Sequence, residues 1–256
     1  MSTGIEGLDE ILEGGLPSRH LYLIDGEPGT GKTTLALQFL LAGTANGARG
    51  LYVTLSETRA ELTQVAESHG WTLDNIDVFE LSAAETGTMD EGYTLFHPAE
   101  IELQQTMDAV LSSVEKSGAS LVVLDSLSEM RLLARDPLRF RRQILTIKQY
   151  FAARECTVLL LDDKTAPEGD LQLHSLAHGV IALEHVAQEY GAERRRLQVR
   201  KLRGLRFRGG YHDFRITTGG LAVFPRLRLD HKGEVTGQPL IHSGSAEMDK
   251  LLGGGL

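Results

Sequence analysis

Gly26-Glu27-Pro28-Gly29-Thr30-Gly31-Lys32-Thr33 decides how the rest of this 256-residue chain is read. The stretch satisfies G-x-x-x-x-G-K-[ST] and lies between a predicted strand at 20–25 and a predicted helix at 32–41. Strand, glycine-rich loop and helix in that order predict a phosphate-binding loop, with ATP and magnesium as its cofactors. Glycines let the backbone wrap closely and aim successive N–H groups at phosphate oxygens. The helix that begins after Gly31 adds its positive N-terminal end. Lys32 supplies a point charge for the β- and γ-phosphates, and Thr33 a hydroxyl for magnesium. Thr34 either caps the helix or contacts the α-phosphate.

A magnesium ion on that phosphate needs an acid from a neighbouring strand. Asp125 closes the apolar run Leu121-Val-Val-Leu124 and precedes Ser126, the Walker B form. It is expected to hold the metal, mostly through water. A strand-terminal Asp also serves as a helix cap, so the assignment depends on its pairing with the loop. Hydrolysis further needs a group that orients or deprotonates water. Glu57 follows a predicted strand at 50–54, and open parallel sheets bind ligands at the carboxyl ends of their strands. Glu57 is therefore the candidate catalytic base. The plainer reading is a first-turn acid favoured by the helix dipole.

Outward from the loop, strand and helix patterns alternate. Helical spacing is read at 59–69, 100–116 and 138–154, with strands at 76–81, 121–125 and 157–161. Continuous apolar runs such as 121–124 fit buried central strands. Beyond Val180 the pattern turns to strands, at 180–185, 197–202, 213–217 and 221–224. The expected class is α/β: a mainly parallel sheet flanked by helices, with antiparallel C-terminal strands. Residues 86–97 read as a polar surface loop.

The two ends repeat each other at an offset of 240. Thr3-Gly-Ile-Glu-Gly-Leu-Asp-Glu-Ile-Leu-Glu-Gly-Gly-Leu16 recurs as Ser243-Gly-Ser-Ala-Glu-Met-Asp-Lys-Leu-Leu-Gly-Gly-Gly-Leu256, with six of 14 pairs identical. A domain-sized period excludes a solenoid. The expected organisation is one domain at 1–240 and the start of a second, truncated repeat at 241–256.

Composition narrows the function classes. The chain is 41% hydrophobic and carries a net charge of −9, so a dedicated nucleic-acid role is disfavoured. A lone cysteine, Cys156, excludes a disulfide framework within one chain and reads as a buried hydrophobe. No run approaches the ~20 apolar residues of a membrane span, and the N-terminus lacks the pattern of a signal peptide. The expected location is the cytoplasm.

Gly14-Gly-Leu-Pro17, the loop at 26–34 and Leu35-Ala-Leu-Gln-Phe-Leu40 together resemble the RecA superfamily, and within it the KaiC/RadA branch. Leu51-Tyr-Val-Thr-Leu-Ser-Glu-Thr58, Gly70-Trp71, Leu124-Asp-Ser126 and Lys201-Leu-Arg-Gly204 follow in the order of the KaiC family, so the resemblance covers essentially the whole chain. It implies the RecA-like fold, homo-hexameric rings with ATP held between subunits, and tandem domains. It also implies that Lys201 and Arg203 reach a neighbour's phosphates, as catalytic residues with Lys32 and Glu57. Glu57 matches one of two adjacent family carboxylates, and the other is Ser56 here. That departure leaves one acid to do alone what two share elsewhere in the family, and keeps open a nucleotide-binding module that hydrolyses almost nothing, with ATP holding the ring. Three functions follow: a slow ring ATPase that signals to regulatory protein partners, a Ser/Thr autokinase, or a RadA-like DNA-dependent ATPase. The first is preferred.

Several residues keep more than one reading. The stretch 194–208 holds eight Lys or Arg: a solvated strand face, a subunit-interface phosphate clamp or a nucleic-acid contact. His174, His178 and His185 do not have zinc spacing. Asp162 and Asp163 follow a buried strand near the phosphate end and are given no catalytic role. Ser175 falls near the family's phospho-acceptor region and is a candidate for autophosphorylation.

Overall fold

The computed structural model describes residues 1–81, 98–164, 172–187, 190–191, 193–227 and 242–251. The polar stretch 86–97 lies outside them. By chain contacts the protein divides into Met1–Arg226 and Leu227–Leu256.

In the first unit the elements are α1 (Glu6–Ile11), β1 (Leu21–Asp25), α2 (Lys32–Ala45), β2 (Gly50–Thr54), α3 (Arg59–Ser68), β3 (Ile76–Glu80), α4 (Pro98–Ser117) and β4 (Leu121–Asp125). Then follow α5 (Leu127–Ala134), α6 (Pro137–Ala153), β5 (Thr157–Asp162), α7 (Gln172–Leu176) and four strands. These are β6 (Gly179–Val186), β7 (Arg194–Leu202), β8 (Tyr211–Thr217) and β9 (Gly220–Phe224). One nine-stranded sheet runs β3-β2-β4-β5-β1-β6-β7-β8-β9. Its β3 to β6 portion is parallel, and β7, β8 and β9 add antiparallel. This is the expected class. Helices α5 and α7 were not anticipated; each is too short for a full helical period to stand out.

Strands buried on both faces read as unbroken apolar runs, and β1, β2, β4 and β5 are buried at every position. Alternate side chains feed two cores. Tyr22, Ile24, Tyr52 and Val123 join α1, α2 and α3 on one face. Leu21, Leu23, Val53 and Leu124 join α4, α5 and α6 on the other. The P-loop strand is thus clamped between two layers. Among the described residues, no helix is long and apolar enough to cross a membrane.

Helix α3 begins with a capping box. The Thr58 hydroxyl accepts from Glu61 N at 3.2 Å, and Glu61 Oε2 accepts from Thr58 N at 2.7 Å. Both orphan donors of the first turn are satisfied reciprocally. Thr58→Ala is expected to cost about 1 kcal/mol, read from the urea midpoint. An unchanged midpoint would mean the box does not hold in solution.

The end repeat has a structural counterpart within each unit. Thr3 N donates to Asp9 Oδ1 at 2.8 Å and Ile5 N to Thr3 Oγ1 at 3.2 Å. In the second unit, Ser243 N donates to Asp249 Oδ1 at 2.8 Å and Ser245 N to Ser243 Oγ at 3.3 Å, leading into α8 (Ala246–Leu251). The same two bonds, 240 positions apart, build the same helix entry. In the first copy Leu8 and Ile11 are fully buried, whereas Met248 and Leu251 are exposed.

Candidate active site

The site grows from the carboxyl end of β1. Gly26 turns the chain where a Cβ would meet Thr30 Oγ1 at 2.6 Å and Leu183 O at 2.8 Å, so no larger residue fits. Gly31 precedes α2 with φ of 102°, a left-handed conformation that favours glycine. Glu27, Pro28 and Gly29 form the exposed crest of the loop. Thr30 Oγ1 closes it on Glu27 O at 2.8 Å. Lys32 then folds back under the crest. Its Nζ donates to Gly26 O at 2.7 Å and Glu27 O at 3.0 Å, and pairs with Asp163 Oδ1 at 2.7 Å.

The predicted metal pair comes together. Thr33 Oγ1 donates to Asp125 Oδ2 at 3.4 Å. The buried Tyr52 hydroxyl donates to the same oxygen, so the carboxylate is oriented from β2 as well as from α2. Burial raises Asp125 above the usual carboxylate range, and the Tyr52 bond opposes that rise. Tyr52 itself is pushed well above its ordinary value by burial and by the Asp125 charge. A hydroxyl and a carboxylate converging beside the P-loop are groups that could hold magnesium on a bound nucleotide.

Glu57 lies one short turn beyond β2. Thr54 fixes that turn from both sides: its hydroxyl donates to Glu57 O at 2.7 Å and accepts from Glu57 N at 2.9 Å. Glu57 Oε2 is buried with no hydrogen-bond partner among the described residues. Burial, followed by the charges of Asp125, Glu61 and Asp163, pushes the Glu57 carboxyl up to about 7, with Lys32 opposing. An unpartnered buried carboxylate oxygen with that basicity suits a general base near neutral pH.

The remaining expectations divide. Thr34 makes no helix cap, because the cap position is Gly31; its hydroxyl lies 3.5 Å from His69 Nε2. The capping alternative is therefore set aside. Lys201 and Arg203 do not join their own P-loop. They lie at and just beyond the end of β7 that pairs with the start of β6. Lys201 Nζ donates to the carbonyls of His174 at 2.5 Å and Ala177 at 2.7 Å, and Arg203 to that of Ser175 at 2.7 Å. The three histidines take different partners: His174 reaches Asp25 at 3.3 Å, His178 stacks on His20, and His185 reaches Glu193 at 2.8 Å. Within 194–208, Arg194 pairs with Asp213, Arg196 with Glu184, and Arg200 with Asp25 and Glu184.

Sequence reasoning missed Tyr52, the pairing of Asp163 with Lys32 and the bond of Arg195 to the loop. Arg195 donates to Gly29 O at 2.7 Å and so steadies the loop crest from β7. A tyrosine in a fully buried strand carries its own signal, because its hydroxyl needs a partner. Asp163 was noted as lying near the phosphates, but nothing local tied it to Lys32.

Loop, lysine, threonine and strand-terminal aspartate, carried on this sheet order, define a P-loop ATPase of the RecA type. The chain belongs to the KaiC ATPase family, whose profile matches residues 1–228. It is 31% identical to a UPF0273 protein of Methanopyrus kandleri over 92% of this chain and 96% of that one. It is 30% identical to a UPF0273 protein of Thermotoga maritima over 88% and 96%. Against the circadian clock oscillator protein KaiC of a Picosynechococcus strain identity is 30%, over 99% of this chain but 49% of that protein. The chain thus spans about half the length of such KaiC relatives. The crystal structure of a KaiC-like protein from Pyrococcus horikoshii superposes with a TM-score of 0.71 at 25% identity, covering 88% of this chain.

Proposed function

We propose that the chain binds ATP with magnesium and hydrolyses it slowly, as a ring-forming regulatory module. The observation that carries this reading is the convergence of Lys32, Thr33 and Asp125 beside Glu57, whose buried oxygen lacks a partner among the described residues. Slow turnover follows from Ser56, which leaves one carboxylate where the family pattern has two. Lys201 and Arg203 are bonded to the carbonyls of His174, Ser175 and Ala177 and not to the P-loop, so a role in hydrolysis requires a neighbouring subunit. ATP held between subunits of a homo-hexamer supplies that geometry, and assembly then controls the rate. The repeated helix entry at 243–251 supports the start of a second domain of the same kind. The net charge of −9 argues against DNA as the partner.

The test is steady-state phosphate release by the purified chain, with its mass in solution read in parallel with and without ATP. Slow release coupled to an ATP-dependent increase in mass is expected. Label transferred to Ser175 or another hydroxyl instead would replace hydrolysis with kinase activity. ATP binding without release at any mass would leave a nucleotide-gated assembly module.

A further inference from the structure

We propose that Asp163 is a built-in competitor for the P-loop lysine: nucleotide binding exchanges its carboxylate for a phosphate on Lys32. This rests on ATP binding at the loop, as read above. An ammonium has three N–H donors. On Lys32 these meet Gly26 O, Glu27 O and Asp163 Oδ1, at 2.7, 3.0 and 2.7 Å. The two carbonyls are neutral and belong to the loop that must keep its shape. Asp163 is the anion of the three, so it is the partner that an incoming phosphate, itself an anion, replaces on Lys32. The lysine side chain is 6% exposed and the aspartate 25%, so solvent screens the pair little.

The displaced carboxylate keeps other holders, Ser126 and Ser128. Its other oxygen accepts from Ser128 Oγ at 3.0 Å, in the first turn of α5. Helix α5 follows directly on Asp125, and its Arg131 forms a two-bond pair with Asp162, the residue before Asp163. The Asp162–Asp163 step therefore joins the P-loop lysine to the helix that leaves the metal ligand. Occupancy of the phosphate site is felt at α5 through one side chain. The competition acts on nucleotides whose phosphates reach Lys32 and leaves AMP unaffected, so it sets the threshold for nucleotides that carry a β-phosphate.

The test is equilibrium titration of a non-hydrolysable ATP analogue with magnesium, and of AMP, into wild type, Asp163→Asn, Ser128→Ala and the double variant. Asp163→Asn is expected to bind the analogue about tenfold more tightly, with AMP unchanged. Ser128→Ala removes one of these holders and is expected to weaken the analogue about threefold in the wild-type background. With Asn at 163 it should have no effect. Unchanged or weaker analogue binding by Asp163→Asn overturns the exchange, as does a Ser128→Ala effect that persists without the carboxylate. Failure of wild type to bind the analogue at all is a separate result, which removes the ATP reading instead.

Discussion

Lys32→Met is expected to weaken ATP binding by about 10³-fold, measured by titration with a non-hydrolysable analogue. The methionine keeps the buried apolar stem and removes the ammonium, so packing changes little. A hydrogen bond to a charged group contributes about 1.5–3 kcal/mol, and the lysine serves two phosphates, which makes about 4 kcal/mol and the stated factor. The substitution also strands Asp163, whose carboxyl burial would raise but whose bonds to Lys32, Ser128 and Ser126 hold below the usual range. Some loss of stability is therefore expected from a cause unrelated to the nucleotide. The double variant Lys32→Met/Asp163→Asn separates the two: it should recover the melting temperature and not the affinity. If the single variant binds as wild type does, the phosphates lie elsewhere.

Glu57→Gln is expected to lower kcat by about 10²–10³-fold while changing nucleotide affinity by less than about threefold. Oxygen and amide nitrogen are near in size, so the turn held by Thr54 survives. The base must be ionised to work, and its carboxyl lies at about 7 in the free protein. Wild-type kcat/KM should therefore fall about tenfold for each pH unit below that point, whereas the glutamine variant should show no such limb. Stability moves the other way. The folded state raises the carboxyl from 4.5 to about 7, so it favours the protonated form. That contribution is fully present below pH 4.5 and is lost as the pH rises through 7. Glu57→Gln should accordingly raise the melting temperature at pH 8 and leave it unchanged at pH 4. A wild-type profile flat through neutrality would remove Glu57 as the base.

The fold was legible where the physics is local. The P-loop, the apolar runs of β1, β4 and β5, and the glycine at the entrance to α2 each follow from a few adjacent residues. Asp125 and Glu57 were legible because strand ends on a parallel sheet converge at one edge. Tyr52 and Asp163 were not, because their roles come from register between strands. Tyr52 meets Asp125 because β2 lies beside β4, with Thr54 opposite Asp125. Asp163 meets Lys32 because β5 lies beside β1, with Asp25 opposite Asp162. No spacing within the chain encodes those adjacencies. Lys201 and Arg203 show the converse: a recognisable motif whose place in the sheet sets it on the carbonyls of His174, Ser175 and Ala177.

The sheet order also fixes when the nucleotide site can exist during synthesis. Strand β1 leaves the ribosome well before its ladder partners β5 and β6, where Tyr22 aligns with Leu159 and Gly179. Contacts so distant along the chain form late, because closing the intervening loop is entropically costly. A nascent chain carrying the complete Walker sequence therefore has no rigid strand from which to hang it until β6 has emerged. Throughout that interval Leu21 to Ile24 form an unpaired apolar strand, the kind of surface on which chaperones act and aggregation starts. The P-loop is thus made well before the strands that organise it.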